Sequence, residues 1–433
     1  MKRYEKYIAI PSTVSPVMPE AWTAKKLKFI LSYSKGKQPS QLTEEPIGDP
    51  YATMDYLRGR DCILQYPVST EGLVHIDNDS LLVLWDGANA GEFLRGKAGY
   101  LGSTMAVIKA GDNMDKSYLF YLLKGSEALS KMIAGGTTIP HFSPTFFDEV
   151  FAIPSLDEQR EIAAFLDYKT GKIDRLAEIL TARIDDLKKY RQTIISDAVK
   201  HGVNNIIDMR PVHTEWIGEL PERVELTRLK YVTCKIGSGV TPTGGASVYQ
   251  DSGVLFIRSQ NVYPDGLRLD DAAYISHDID EKMQNTRVQH GDVLLNITGA
   301  SIGRCSTYDL VDTPANVNQH VCIIRPIPEL ANSKYIQYVL NSSIGQTQIN
   351  LFQTGGSREG LNFEQLRNFA IPNFTVDEQS AIAEYLDQKT KQIDETIAAT
   401  EQQIKDVQAY RMSLIYEAVT GQIDVRDWTI PVE

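Results

Sequence analysis

Apolar residues recur at alternating steps of three and four along two stretches of the chain: Ile173, Ala177, Leu180, Ile184, Leu187, Ile194 and Ala198 in one, and Ile393, Ile397, Ile404, Val407, Leu414 and Ala418 in the other. Side chains three and four apart share a helix face, so the spacing predicts a narrow apolar stripe of the coiled-coil kind. Neither stretch contains proline, and both are rich in Ala, Leu, Ile, Glu, Gln and Lys. Each opens on an acidic pair, Asp157 with Glu158 and Asp377 with Glu378, where the helix dipole favours negative charge. Each is expected to be one helix of about 43 residues, roughly 65 Å long, a length that suits a rod holding other parts apart.

The two stretches are copies of one another. At a constant offset of 220 they share 18 identities without a gap. One such stripe would as readily pack on its own domain; two equivalent stripes, each narrow, point to each other as partners. The repeat extends outward. PEAWTAKKLKFI from Pro19 resembles PERVELTRLKYV from Pro221, LLVLWDGANAG from Leu81 pairs with VLLNITGASIG from Val293, and FAIP precedes each helix at Phe151 and Phe369. Between these landmarks, short β-type runs such as DCILQYPV and VCIIRP alternate with helical patterns such as KSYLFYLLKGSEALSKMI. The expected fold class is therefore α+β, with two mixed α/β domains of about 150 residues, each followed by a long helix. The segments are expected at 1–154 (first domain), 155–204 (first helix), 205–373 (second domain) and 374–433 (second helix and tail). Residues 1–18 read as a loose leader, HGVNNIIDMRPVHTEWIGELP as an aperiodic connector, and DVRDWTIPVE as a short polar tail.

Composition narrows the function classes. The 433 residues are 42% hydrophobic, no run of about 18 apolar residues occurs, and the N-terminal sequence lacks a signal-peptide core, so a cytoplasmic protein without membrane contact is expected. Cys62, Cys234, Cys305 and Cys322 form no CxxC pair and the histidines no HxxxH pattern, which points away from a disulfide framework, a structural zinc or any other cofactor. The net charge of −12 argues at face value against nucleic acid, but residues 373–433 alone hold 12 acidic against 5 basic residues. The remaining segments lie nearer balance, which leaves room for basic patches.

Two motifs imitate catalytic ones. GASIG, Gly299 to Gly303, fits the nucleophile elbow of serine hydrolases, but the elbow must feed a helix and RCSTYDLVDTPANV follows; the first repeat has Asn89 where Ser301 stands. GEFLRGKA from Gly91 resembles a phosphate loop with Ala98 at the magnesium-binding position. A protein-only coiled-coil scaffold is a third reading, although it gives no reason for two diverged domains on equivalent helices.

EWIGELPERVELTRLKYV, GDVLLNITGASIGR, QTGGSREGLNFEQLRNFAIP and the helix opening DEQxxIAxxLDxKTxxID together resemble the DNA specificity subunit of type I restriction-modification enzymes, over the whole chain. The first domain departs from the pattern at GKAGYLGS and GTTIPHFSP. The resemblance implies that each domain recognises half of a split duplex DNA target and that the helices form an antiparallel coiled coil setting the gap. It also implies that two modification (methyltransferase) subunits dock along the helices, that restriction subunits join through the complex, and that the chain itself catalyses nothing.

Base recognition needs polar side chains on loops. The candidates in the second domain are Arg258, Ser259, Gln260 and Asn261 after VLFI, Asn316, Asn318, Gln319 and His320 before VCII, and Thr354, Ser357 and Arg358 in the glycine-rich loop. In the first domain they are Lys35, Lys37 and Gln38, with Thr137, Thr138 and His141. Residues identical between the helices yet off the seam, Gln159, Asp167, Lys169 and Asp174 with their copies Gln379, Asp387, Lys389 and Asp394, are the candidates for binding modification subunits.

Overall fold

A computed structural model describes residues 2–135, 139–203, 208–212, 214, 216–353 and 360–431. The acidic openings and the absence of proline give two uninterrupted helices, Leu156–His201 and Val376–Val419. Each is followed by a glycine in the left-handed region, Gly202 at φ 79° and Gly421 at φ 71°, a backbone conformation that ends a helix cheaply only without a Cβ. The chain forms two compact units that cut across the serial order: residues 1–181 with 401–433, and residues 182–400. Each unit thus owns one globular domain, part of its own helix and part of the other.

In the first unit a four-stranded sheet runs in the order Phe93–Arg95, Leu81–Leu84, Met105–Ala110, Leu31–Lys35, all antiparallel. The apolar runs LLVL and MAVI are buried on both faces, against the helix Lys116–Gly125 and Phe146 on one side and Leu57, Ile76 and Leu101 on the other. The second side carries a small three-stranded sheet, Tyr51–Ala52, Gly99–Leu101, His75–Ile76. Val150–Ile153, leading into the first long helix, pairs with Thr23–Lys26.

The second unit repeats the plan. Its sheet runs Thr233–Ser238, Val321–Pro326, Val293–Asn296, Cys305–Thr307, and a second four-stranded sheet, Ala273–Ile275, Val254–Ile257, Ala315–Val317, Arg287–Val288, replaces the small one of the first unit. Ala370–Asn373 pairs with Glu225–Arg228 before the second long helix.

Described residues of both the leader and the connector form paired strands. Tyr7–Ala9 pairs with Val17–Pro19 in the same register in which Met209–Pro211 pairs with Glu219–Pro221, so the leader and the connector are one structural element. Tyr4 is buried and donates to Glu158 at 2.6 Å, and Trp428 of the tail packs edge-on against Phe165. In the first unit Lys2 and Asp424 form a β-bridge, joining tail to leader where in the second unit the chain is continuous in sequence from helix to connector.

Within each unit the two long helices run antiparallel. In the first unit Ile162, Phe165 and Leu166 share a core with Leu414, Ile415 and Ala418, and Arg411 makes a two-pronged ion pair with Asp174, Nε at 2.7 Å and a terminal nitrogen at 3.2 Å. In the second unit Ile195 and Val199 share a core with Ile382 and Leu386, and Arg191 grips Asp394 at 3.0 and 3.3 Å. Asp394 is the copy of Asp174 and Arg411 the copy of Arg191, so one ion pair is made twice with the helices exchanging roles. The apolar stripe is the seam: Leu180, Ile184, Ala198, Ile393, Leu414 and Ala418 are buried and its other members half-buried. Among the described residues, no helix is long and apolar enough to cross a membrane.

Candidate nucleic-acid interface

In both domains the central buried strand ends in a glycine turn, and polar residues gather around it. Leu81–Leu84 leads into Gly87–Gly91, and Val293–Asn296 into Gly299–Gly303. The closing glycines, Gly91 at φ 88° and Gly303 at φ 87°, take the same left-handed conformation. The outer strand of each sheet, Leu31–Lys35 or Thr233–Ser238, exits through Gly36 or Gly239, whose amides donate to the carbonyls of Met105 and Val321. A Cβ there would lie 2.2 Å from the Gly102 oxygen or 1.7 Å from the Val317 oxygen, so only glycine lets these strands pass so close to the second sheet.

The residue just before each turn carries the local chemistry. In the first domain it is Asp86, which accepts from Lys35 Nζ at 3.0 Å and pairs with His141 Nδ1 at 2.6 Å, while Lys35 lies over the Trp85 ring. Burial alone would raise the Asp86 carboxyl, but the hydrogen bonds from His141 and Lys35 outweigh it and hold the group below the usual carboxylate range. In the second domain it is Thr298, whose hydroxyl meets His320 Nδ1 at 2.6 Å; the other ring nitrogen faces the Gln319 amide at 3.0 Å. Thr298, Ser301, His320, Ser259, Gln260 and Arg304 line one cleft of about 450 Å³.

The predicted residues divide into three groups. Lys37, Gln260 and Gln319 are exposed, His141 is 56% exposed at its side chain, and Arg258, Ser259 and His320 are half-buried. Gln38 accepts from Tyr51 and Ser103. Three asparagines expected on recognition loops are interior instead. Asn316 is fully buried, accepting from Thr286 at 2.6 Å and donating to Asp280 at 3.0 Å; Asn261 bridges Arg258 N and the Arg268 carbonyl; Asn318 accepts from the His320 amide. For Asn261 and Asn316, whose amide oxygen and nitrogen are both engaged, the buried side chain holds loops in shape and has nothing to offer a base edge. Thr137, Thr138, Thr354, Ser357 and Arg358 lie outside the described residues. Asp86, Thr298, Tyr263, Arg268 and Arg304 were absent from the sequence reading, although the first two could have been found as the residue before the turn glycine in both copies.

The repeat-identical helix residues also have internal roles. Gln159 and Gln379 are buried and do the same job: each accepts from the backbone amide of an N-cap residue, Asp115 or Asn332, and donates to two carbonyls of its own domain. Asp167 accepts from Tyr121 at 2.7 Å and Asp387 from Tyr338 at 2.6 Å. Burial, reinforced by the hydrogen bond to Asp167, pushes the Tyr121 phenol up to about 12, and Tyr338 is raised in the same way. Asp174 and Asp394 make the interhelical ion pairs. The residues at these six positions thus dock each helix on its own domain or on the other helix. Lys389 is exposed and Lys169 half-buried, which leaves this pair facing outward.

The elbow-like turn does not feed the helix that a nucleophile elbow requires. Ser301 accepts from Asn296 Nδ2 at 3.1 Å, and the turn runs into the strand Cys305–Thr307 instead of a helix. Two copies of a polar-rimmed α/β domain, each carried on one of two antiparallel helices, define a duplicated recognition protein. The family described as "Type I restriction modification DNA specificity domain" matches the chain twice, over residues 19–189 and 224–406, and the chain belongs to that family. It is 27% identical over 417 residues to the type I restriction enzyme MjaVIII specificity subunit of Methanocaldococcus jannaschii, covering 95% of both chains. It is 22% identical to the EcoBI specificity subunit of Escherichia coli over 72% of this chain and 66% of that one. A chain from a solved structure of a type I R-M system, described for its complex assembly and conformational transition, shares the fold: TM-score 0.70, 16% identity, 94% of this chain and 99% of that chain covered.

Proposed function

We propose that this chain is the DNA specificity subunit of a type I restriction-modification complex, acting in the cytoplasm. The globular segments within 1–154 and 205–373 each recognise one half of a bipartite duplex target. The paired helices set the number of unread base pairs and carry two modification subunits. Methyl transfer and cleavage belong to the modification and restriction subunits, and this chain contributes recognition alone. The observation that carries the assignment is the twofold use of one backbone frame with different polar chemistry on it: Asp86 with Lys35 and His141 in one copy, Thr298 with His320 and Gln260 in the other. A frame kept while its rim diverges is what two different half-sites require. Lys35, Lys37 and His141 in the first domain and Gln260, Gln319 and His320 in the second are the side chains we propose for DNA contact, a reading supported by their exposure or partial exposure beside the glycine turns.

The test is methylome sequencing of the host with and without this gene. A methylated split motif that disappears with the gene is the expected result. If the purified chain assembled with modification subunits shows no preference for that motif over scrambled duplex in a competition gel shift, the chain is a protein scaffold and the assignment falls.

A further inference from the structure

The residue that closes the glycine turn has opposite charge in the two domains. Glu92 follows Gly91 and Arg304 follows Gly303, in the same backbone geometry, with each amide donating to the carbonyl three residues back at 3.1 Å. Glu92 is neutralised by Arg58 at 2.7 Å. Arg304 has no such partner: among the described residues no carboxylate pairs with it. Its guanidinium instead lies 4.6 Å from the centroid of the Tyr263 ring, and a second guanidinium, that of Arg268, lies 3.7 Å from the same centroid. Among the described residues, the carboxylate that Arg268 reaches is the exposed Asp265, at 3.4 Å.

Two cations on one ring repel each other, and a tyrosine face offsets this only in part. A guanidinium held over a ring keeps N–H groups for other partners, the groups that bind planar or tetrahedral oxyanions, and Arg268 uses one of its own on Asp265. Tyr263 and Arg304 both line the 450 Å³ cleft, whose other polar side chains among the described residues, Gln260, Thr298, Ser301, Ser259 and His320, include no carboxylate. A doubly cationic rim beside uncharged donors and acceptors matches a backbone phosphate flanking base edges. We propose that Arg304 and Arg268, stacked on Tyr263, clamp a phosphate of duplex DNA at the edge of the second domain, positioning the target without reading its sequence. The clamp rests on the DNA recognition proposed above.

The experiment uses the chain assembled with its modification subunits, titrated with a target duplex and a scrambled duplex between 50 and 200 mM salt, a range over which phosphate contacts dominate the change in affinity. Arg304→Gln and Arg268→Gln are each expected to weaken both duplexes by the same factor, about tenfold, and to flatten the logarithmic salt slope by about one unit. Arg304→Lys, which keeps the charge, should keep the wild-type slope. Arg268, with its side chain 57% exposed, carries the same test if the turn does not tolerate glutamine at 304. An unchanged slope in the glutamine variants, or a loss confined to the target duplex, overturns the clamp. Failure of the wild-type complex to prefer target over scrambled duplex overturns the recognition reading instead, and leaves the clamp to be judged on the slope.

Discussion

At the scale of single residues, chemistry that looks alike in the sequence separates by burial. Asn316 and Gln260 are both amides beside a strand of the second domain, yet Asn316 is enclosed by Thr286, Asp280 and the Met283 carbonyl, while Gln260 is exposed and donates to Asp271. Asn316→Ala strands those partners without a hydrogen bond and is expected to cost about 1–3 kcal/mol in denaturant unfolding, with the recognised motif unchanged. Gln260→Ala should do the reverse, leaving the unfolding midpoint alone and relaxing one position of one half-site in the methylome. In the first domain Asp86 offers a pH test. Its carboxyl is held below the usual range by His141 and Lys35, so the stability it contributes is present above the unfolded value of about 3.9 and is lost as pH falls through the lower folded value. Asp86→Asn should therefore melt below the wild type at pH 7, and the gap should close as pH drops under about 4. A gap that persists in acid would show that the ion pairs are not its source.

At the scale of elements, the two long helices were legible because their signal is local: periodicity, acidic openings and the absence of proline. What their identical polar positions are for was not legible. Sequence shows that Asp167 equals Asp387, and only the fold brings up Tyr121 and Tyr338, from helices more than forty residues away in the chain, to explain it. The interhelical pair lends itself to charge exchange. Asp174→Lys places like charges together and should lower the melting temperature of the chain, and adding Arg411→Asp should restore part of the loss. With side chains 52% and 21% exposed, the coupling measured by the double-mutant cycle is expected to be about 1 kcal/mol or less. No recovery in the double variant would mean that the pairing contributes nothing to holding the helices.

At the scale of the whole molecule, each helix passes from one compact unit into the other, the first between Thr181 and Ala182 and the second between Thr400 and Glu401. If the helices are the ruler, their length sets the gap and the domains set the half-sites. Removing one heptad from each, Leu180 to Asp186 and its copy Thr400 to Asp406, keeps the seam in phase and shortens each helix by about 10 Å. The expected outcome is an unchanged pair of half-sites with roughly three fewer unread base pairs, at about 3.4 Å per step. Methylome sequencing of cells carrying the shortened chain reads this directly; altered half-sites with the original gap would assign the ruler elsewhere.

The sequence by itself determined the duplication, the two helices and their seam, and the glycine turns, because each of these is written in residues adjacent along the chain or repeated at a fixed offset. Only the tertiary structure decided which polar residues face outward. Asn261, Asn316 and Asn318 turned inward, and Tyr263 gathered Arg268 and Arg304 onto one ring, because burial and side-chain partnership depend on strands that meet only after folding. The joining of leader and tail through Lys2 and Asp424 belongs to the same class: the two residues lie at opposite ends of the chain, and no local pattern connects them.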